Sequence, residues 1–237
     1  MLTIFTSSYN HARYLPEAIE SVLNQSYRDF EYILIDDGST DDSFNIMCDY
    51  AYQDDRIHAI ALPKQVNKGP VLNRSIHMME GSHWLWCPAD DIWTADLLAE
   101  KVAFANQLPA EAIIYNDYYY IDELGTITGQ SDLKNLTPET FIEEVWKTSP
   151  IGFTGIMIPQ IVLKDIPFPE HITYSEDFYW MIKATIHKHP FYHCRKRLHY
   201  KRKHSTSVTA QNLQAVLDDV PRIRAELLEY KTQRESL

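Results

Sequence analysis

The stretch "YILIDDGSTDDS", residues 32–43, joins a short run of β-branched, aromatic and apolar residues to a cluster of acids among small polar ones. Tyr32 to Ile35 reads as a buried strand, and the acidic turn after it leads into a helix over Phe44 to Tyr52. Strand, loop and helix in that order make the unit of an open α/β sheet, where ligands gather outside the carboxyl ends of the strands. Alone, "DDGST" is equally an ordinary turn with a helix cap, because Asp, Gly and Ser serve both purposes.

The same unit recurs on either side. Leu2 to Phe5 predicts a first strand, followed by the loop "TSSYNHARY" and a helix bearing Leu15, Ala18, Ile19, Val22 and Leu23 at helical spacing. His58 to Ala61 predicts a third strand. "NKGPVLNRSIHMMEG" is a helix with Pro70 near its start and Gly81 at its end, and "HWLWC" is a buried strand closing on "PADDIW". Further along, "AIIYND" and "FTGIMI" read as strands and "LTPETFIEEVW" as a helix capped by Thr137. "YSEDFYWMIKATIH" starts a helix with Glu176 and Asp177 in its first turn, and the last helical segment is expected to break at Pro221. The expectation is an α/β chain with one continuous domain over 1–237: a nucleotide-like first half (1–95), a second half (96–210) supplying something else, and a C-terminal helical segment (211–237).

With 22 Lys and Arg against 33 Asp and Glu, the net charge of −11 argues against nonspecific nucleic-acid binding, which draws its affinity from cations on phosphates. The most basic stretch, "HCRKRLHYKRKH" (193–204), reads as a solvated edge strand, or else faces a phosphate or an anionic membrane surface. Cys48, Cys87 and Cys194 fit neither a disulfide framework nor a zinc site, so a reducing cytoplasm is the simplest compartment. No run is long enough to span a bilayer, and membrane contact, at its inner face, would be peripheral.

Three clusters fall at strand ends: "TSSYN", "DDGSTDD" and "PADD". Asp37 can accept the imide N–H of a uracil or thymine ring, with Tyr9 available for stacking. Asp90 and Asp91 can hold a divalent cation through hard oxygen ligands, and the cation's charge offsets the repulsion between carboxylates and a diphosphate. Taken singly, "PADD" is also a cap for a helix near Thr94, Tyr9 a core residue, and Glu176 and Asp177 acids favouring a helix dipole.

In their order, "SSYN", "LIDDGSTDDS", "NKGPVLNRSI", "EGSHWLWCPADDIW", "IDELG", "YSEDFYW" and "YKRKHSTSV" resemble family 2 of the glycosyltransferases over residues 2 to about 210. The resemblance implies the GT-A fold, a single Rossmann-like mixed sheet flanked by helices. It also implies an inverting enzyme that moves a sugar from a nucleotide-sugar donor, by family habit a UDP-sugar, with Mn²⁺ or Mg²⁺ as cofactor. The acceptor would be a glycan, lipid-linked or protein hydroxyl, most commonly in bacterial cell-envelope synthesis. Residue by residue, Ser7, Tyr9 and Asp37 would hold the nucleoside, and Asn67 and Lys68 would lie near the nucleotide. The family's Asp-Ala-Asp-Asp stands here as Pro88-Ala89-Asp90-Asp91, so one carboxylate is missing. Asp90 becomes the expected metal ligand and Asp91 its neighbour on the nucleotide side. His204 matches a histidine near the diphosphate or metal. Asp177 is the expected general base, with Glu176 second. The processive members' Gln/Arg-x-x-Arg-Trp motif is absent, implying one sugar per encounter.

Two other classes fit parts of the pattern. A receiver domain also places paired acids after a strand, but leaves "PADD" and "YSED" unexplained. A noncatalytic sugar-nucleotide or glycan binder would tolerate the loss at Pro88, and binding without turnover would identify it. A nucleotidyltransferase would carry a glycine-rich phosphate loop that is not visible near the N-terminus.

Overall fold

The computed structural model describes residues 1–236, apart from the side chains of Val208 and Thr209. In chain order the elements are β1 (Leu2–Ser8), α1 (Leu15–Leu23), β2 (Phe30–Asp36), α2 (Ser43–Gln53), β3 (Ile57–Ala61), α3 (Lys68–Met78), β4 (His83–Trp86), β5 (Ile92–Trp93) and α4 (Leu97–Ala105). There follow β6 (Ile113–Ile121), β7 (Ile127–Gln130), α5 (Pro138–Val145), β8 (Met157–Pro159), α6 (Gln160–Asp165), α7 (Glu176–Ile186), β9 (Phe191–Arg202), α8 (Val208–Gln211) and α9 (Leu213–Glu235).

One mixed sheet runs β3-β2-β1-β4-β8-β6-β9-β5, with β7 on β6. Its first four strands are parallel, β8 runs antiparallel to β4, and β9 runs parallel to β6. Helices cover both faces. That is why β1 and β2 are buried almost throughout, rather than alternating between apolar and polar residues. The period of two instead sorts their side chains between two cores: Phe5, Ile33 and Ile35 enter one, Ile4, Tyr32 and Leu34 the other. Each such buried aliphatic or aromatic side chain contributes about 1.5–3 kcal/mol relative to an exposed one. β5, from the first half of the chain, pairs with β9 from the second, so one sheet ties the halves together.

Thr137 caps α5 as expected. Its hydroxyl accepts the Thr140 N–H at 3.3 Å, and the Thr140 hydroxyl accepts the Thr137 N–H at 2.8 Å.

Four expectations are corrected. The basic stretch is not a solvated edge: β9 lies between β6 and β5, with Leu198, His199 and Arg202 buried. Its outward cations are engaged by neighbours, Lys196 by Glu100 and Arg195 by Asn135. The "FTGIMI" strand shrinks to Met157–Pro159, because Gly155 takes a left-handed φ of 67° and donates its N–H to the Trp86 carbonyl. Pro221 does not end the last helix, since Ile223 and Leu227 bury beyond it and hold α9 continuous. Finally, α3 stops at Met78, before Gly81. Gly81 is needed for a close approach, because a Cβ there would lie 2.5 Å from the Leu2 carbonyl carbon.

Lys101 on α4 is fully buried, with its Nζ 3.0 Å from the Ile114 carbonyl. Burial lowers its pKa to about 7. A folded pKa below the unfolded one means the cost of charging this amine is absent above about pH 10 and complete below about pH 7. Lys101→Met is therefore expected to stabilise the fold by about 1–3 kcal/mol at pH 7, after allowing for the lost hydrogen bond. Urea denaturation should show the gain shrinking toward pH 10.

Candidate functional site

The carboxyl ends of the parallel strands β1, β2 and β4 open on one edge of the sheet. Ser8 lies opposite Asp36 in the ladder, and the Asp37 N–H continues it to the Ser8 carbonyl at 2.8 Å. Most of the acids after β2 build this loop. Asp36 accepts the Ser39 N–H at 2.9 Å, while Asp41 accepts the Ala12 N–H at 3.0 Å and the Ser43 hydroxyl at 2.6 Å. Asn10, itself at a left-handed φ of 57°, accepts the Thr40 N–H at 2.8 Å and ties the first loop to the second.

Asp37 is different. It is buried, and one oxygen accepts the Val66 N–H at 3.0 Å. Burial raises its pKa to about 6; the Val66 bond works against the rise and Asp36 adds to it. Ser7 is half-buried in β1 opposite Ile35, and Tyr9 stands on the rim at 37% exposure. Asn67 heads α3 and donates to the Glu170 carbonyl at 3.4 Å. Gly69 lets that helix start close to the chain at Pro169, whose oxygen a Cβ would meet at 2.1 Å.

Lys68 connects the two acidic regions. Its Nζ lies 3.4 Å from Glu176 Oε1 and 4.7 Å from the centre of the Trp86 ring. Burial would lower its pKa, but the fields of Glu176, Asp177 and Asp90 outweigh it and hold the ammonium above its ordinary value. Glu176 is buried, and burial raises its pKa; Lys68 opposes the rise and Asp177 reinforces it. Asp177 is half-exposed. One oxygen accepts the Phe178 N–H at 2.7 Å, and the side chain lines a cavity of about 340 Å³ with Lys147, Ser149, Tyr174 and Arg224.

On the other side of the crevice, Asp90 Oδ2 lies 2.9 Å from His204 Nε2. Burial disfavours the Asp90 carboxylate, but the His204 hydrogen bond and the fields of His11 and His204 lower its pKa. Ligand atoms of His11, Asp90 and His204 all lie within 4.8 Å of one another. Among the described residues, His11 Nδ1 is buried with no hydrogen-bond partner. A histidine with one unpartnered ring nitrogen, grouped with a carboxylate and a second imidazole, makes a donor set that fits a divalent cation. Asp91 sits behind this group, buried, with one oxygen accepting the Arg202 N–H at 2.8 Å. Its pKa is raised to about 7 by burial and by Asp90.

Sequence reasoning missed His11. The only signal was its place in "SSYNHARY", a lone histidine three residues past the end of β1.

The sequence model of Glycosyl transferase family 2 matches residues 3–167. A Bacillus subtilis glycosyltransferase named for teichuronic acid biosynthesis, TuaG, is 26% identical over 182 residues, covering 76% of this chain and 71% of that one. Among solved structures, S. aureus TarS 1-349 in complex with UDP superposes with a TM-score of 0.74 at 22% identity, over 94% of this chain and 64% of that one. The mannosyltransferase PcManGT of Pyrobaculum calidifontis, in complex with GDP-Man and Mn²⁺, superposes with a TM-score of 0.68 at 15% identity, over 90% of this chain and 60% of that one. This chain thus spans under two thirds of each of these two structures, and they share its fold.

Proposed function

The chain belongs to glycosyl transferase family 2, and from that premise we propose that it transfers a sugar, with inversion, from a nucleotide-diphosphate donor, a UDP-sugar, to an acceptor hydroxyl in cell-surface glycan synthesis. The observation that carries the reading is the Lys68 ammonium, 3.4 Å from Glu176 Oε1 and 4.7 Å from the centre of the Trp86 ring at the end of β4. These contacts support the reading by setting the first turn of α7, with its acid pair, beside the end of β4, whose loop carries Asp90.

In this reading the nucleoside lies over the loops after β1 and β2, with Ser7 and Tyr9 along its edge and the free oxygen of Asp37 accepting the imide proton of the base. Asn67 and Lys68 border the diphosphate, where the ammonium meets negative charge. Asp90, His204 and His11 would hold Mn²⁺ or Mg²⁺, which supplies Lewis-acid stabilisation of the departing diphosphate. Asp91 positions Asp90 through its bond to β9. Asp177 takes the proton of the acceptor hydroxyl as its oxygen attacks the anomeric carbon opposite the leaving group. The nucleotide half corresponds to 1–95 and the acceptor half to 96–210, with the 211–237 segment contributing Val216, Val220 and Arg224 to the cavity beside Asp177. The acceptor is a glycan, lipid-linked or protein hydroxyl, and the setting is cytoplasmic, at the inner face of the membrane. No helix among the described residues is long and apolar enough to cross a membrane.

A screen of sugar nucleotides with Mn²⁺ for a raised Tm, followed by transfer assays, tests the reading. Stabilisation by a UDP-sugar with no turnover on any acceptor or water would favour the noncatalytic binder that Pro88 makes conceivable.

Asp37 offers a sharper check. Its folded pKa of about 6 lies above the unfolded value, so the stability of its protonated form is complete below about pH 4 and lost as pH rises through 6. Asp37→Asn keeps the acceptor for Val66 and removes the charge. It is expected to stabilise the protein by about 1–3 kcal/mol at pH 7.5, with no gain near pH 4. Uridine nucleotide affinity should fall about tenfold through loss of a charged hydrogen-bond acceptor. Denaturation at the two pH values and calorimetric titration with UDP measure both effects.

A further inference from the structure

A second group of metal-ligating side chains lies where the end of α6, the turn from α7 to β9, and α9 meet. His187 Nδ1 and His189 Nε2 approach the same oxygen of Asp165, Oδ2, at 2.7 and 3.1 Å. The three ligand atoms lie within 4.8 Å of one another. The imidazoles are nearly buried, at 5% and 11% side-chain exposure, whereas Asp165 is 50% exposed and leaves the group open to solvent on one side.

The backbone brings these rings together at some cost. Lys188, between the two histidines, has a left-handed φ of 66°, a conformation that favours glycine. The Lys188 N–H bonds the Thr185 carbonyl and the His189 N–H bonds the Ala184 carbonyl, both at 3.0 Å. This doubles the chain back at the end of α7, so that the rings face each other with centroids 6.3 Å apart and planes 19° from parallel.

The outer nitrogens complete the case. His187 Nε2 lies 2.8 Å from the Tyr230 hydroxyl on α9. Metal-bound histidines characteristically have their second nitrogen held in this way, which fixes the ring and its tautomer. A phenol hydroxyl can donate or accept, so the contact survives when Nδ1 exchanges a proton for a metal bond and Nε2 carries the hydrogen. Among the described residues, His189 Nδ1 is buried with no hydrogen-bond partner. Two imidazoles and a carboxylate, with a fourth position open to water, form a set suited to a tetrahedral borderline ion. Bonds of about 2.0–2.2 Å would place the ligand atoms roughly 3.4 Å apart, so each imidazole would draw back from the Asp165 oxygen by less than about 1 Å.

We propose that Asp165, His187 and His189 form a second metal site, for an ion of the Zn²⁺ class, separate from the crevice. Through Tyr230 the ion fastens α9 to the α6–α7 corner. Because α9 also lines the cavity beside Asp177, the ion braces one wall of that cavity from outside the chemistry.

The test uses the full chain carrying His11→Ala, Asp90→Ala and His204→Ala, which removes the crevice ligands, so the outcome does not depend on the proposed function. Equilibrium dialysis is expected to retain one equivalent of Zn²⁺, and Co²⁺ is expected to give the visible absorption of a tetrahedral site. At a hundredfold excess of free Zn²⁺ over Kd, Tm should rise by about 5 °C or more. Adding His189→Ala should abolish binding, and Tyr230→Phe should weaken it about tenfold. Absence of a retained equivalent in the crevice-free chain overturns the proposal whether or not the further variants fold. So does undiminished binding after His189→Ala.

Discussion

Asp177→Asn is expected to slow sugar transfer by about 10²–10⁴-fold while leaving the UDP dissociation constant within about twofold of its starting value. The two acids of "SED" differ in what they can reach. Glu176 is 2% exposed and engaged with Lys68, so an acceptor hydroxyl has no approach to it. Asp177 commits one oxygen to the Phe178 N–H and turns toward the cavity at α9 with the other available. An amide keeps the shape and the oxygen acceptor for Phe178, but it cannot take a proton from an incoming alcohol. The loss should therefore fall on the chemical step.

Glu176→Gln separates orientation from proton transfer. It removes the closest partner of the Lys68 ammonium, so UDP affinity and thermal stability are expected to change together, with a smaller loss in the rate at saturating donor. Single-turnover rates and calorimetric titration on both variants distinguish the two roles. Full transfer by Asp177→Asn would place the base elsewhere.

The contrast explains why this part of the site was readable while others were not. A serine, two acids and an apolar-periodic run announce a helix whose first turn carries carboxylates, and α7 begins at Glu176. Which acid faces a cavity and which faces a lysine depends on α3 and α9, far away in sequence. The acids after β2 illustrate the same limit. Asp36, Asp37 and Asp41 look alike in the chain, yet Asp36 and Asp41 close the loop through their bonds to Ser39, Ala12 and Ser43, while Asp37 bonds the Val66 backbone instead. β1 and β2 were legible because burial on both faces leaves an apolar run. β9 was legible as a strand but not as an interior one, because its cations alternate with residues that bury only when β6 and β5 flank it. His11 could be found only once β1 and β4 ran side by side and placed its loop against Asp90.

Asp90→Ala is the second large expected effect. This side chain is the only carboxylate in a group otherwise made of His11 and His204, and Pro88, two positions earlier, offers no second one. Removing it takes away the hard oxygen and the negative charge together, leaving two imidazoles, a donor set with little affinity for Mg²⁺. The enhancement of UDP affinity by divalent cations should be lost, and transfer should fall by about 10²–10³-fold, since the leaving diphosphate forfeits its main charge stabilisation. Affinity for uridine alone, which lacks phosphates, should not change. The two imidazoles also set the choice of ion: Mn²⁺ accepts nitrogen ligands more readily than Mg²⁺, so activation should be stronger with Mn²⁺. In His11→Ala that preference should narrow, with some activation by each ion remaining, because Asp90 and His204 still face one another at 2.9 Å. Titrating UDP binding and transfer against each ion measures the full set. An unchanged Mn²⁺ preference in His11→Ala would remove this histidine from the ligand set and return its unpaired nitrogen to the category of a buried group awaiting a water.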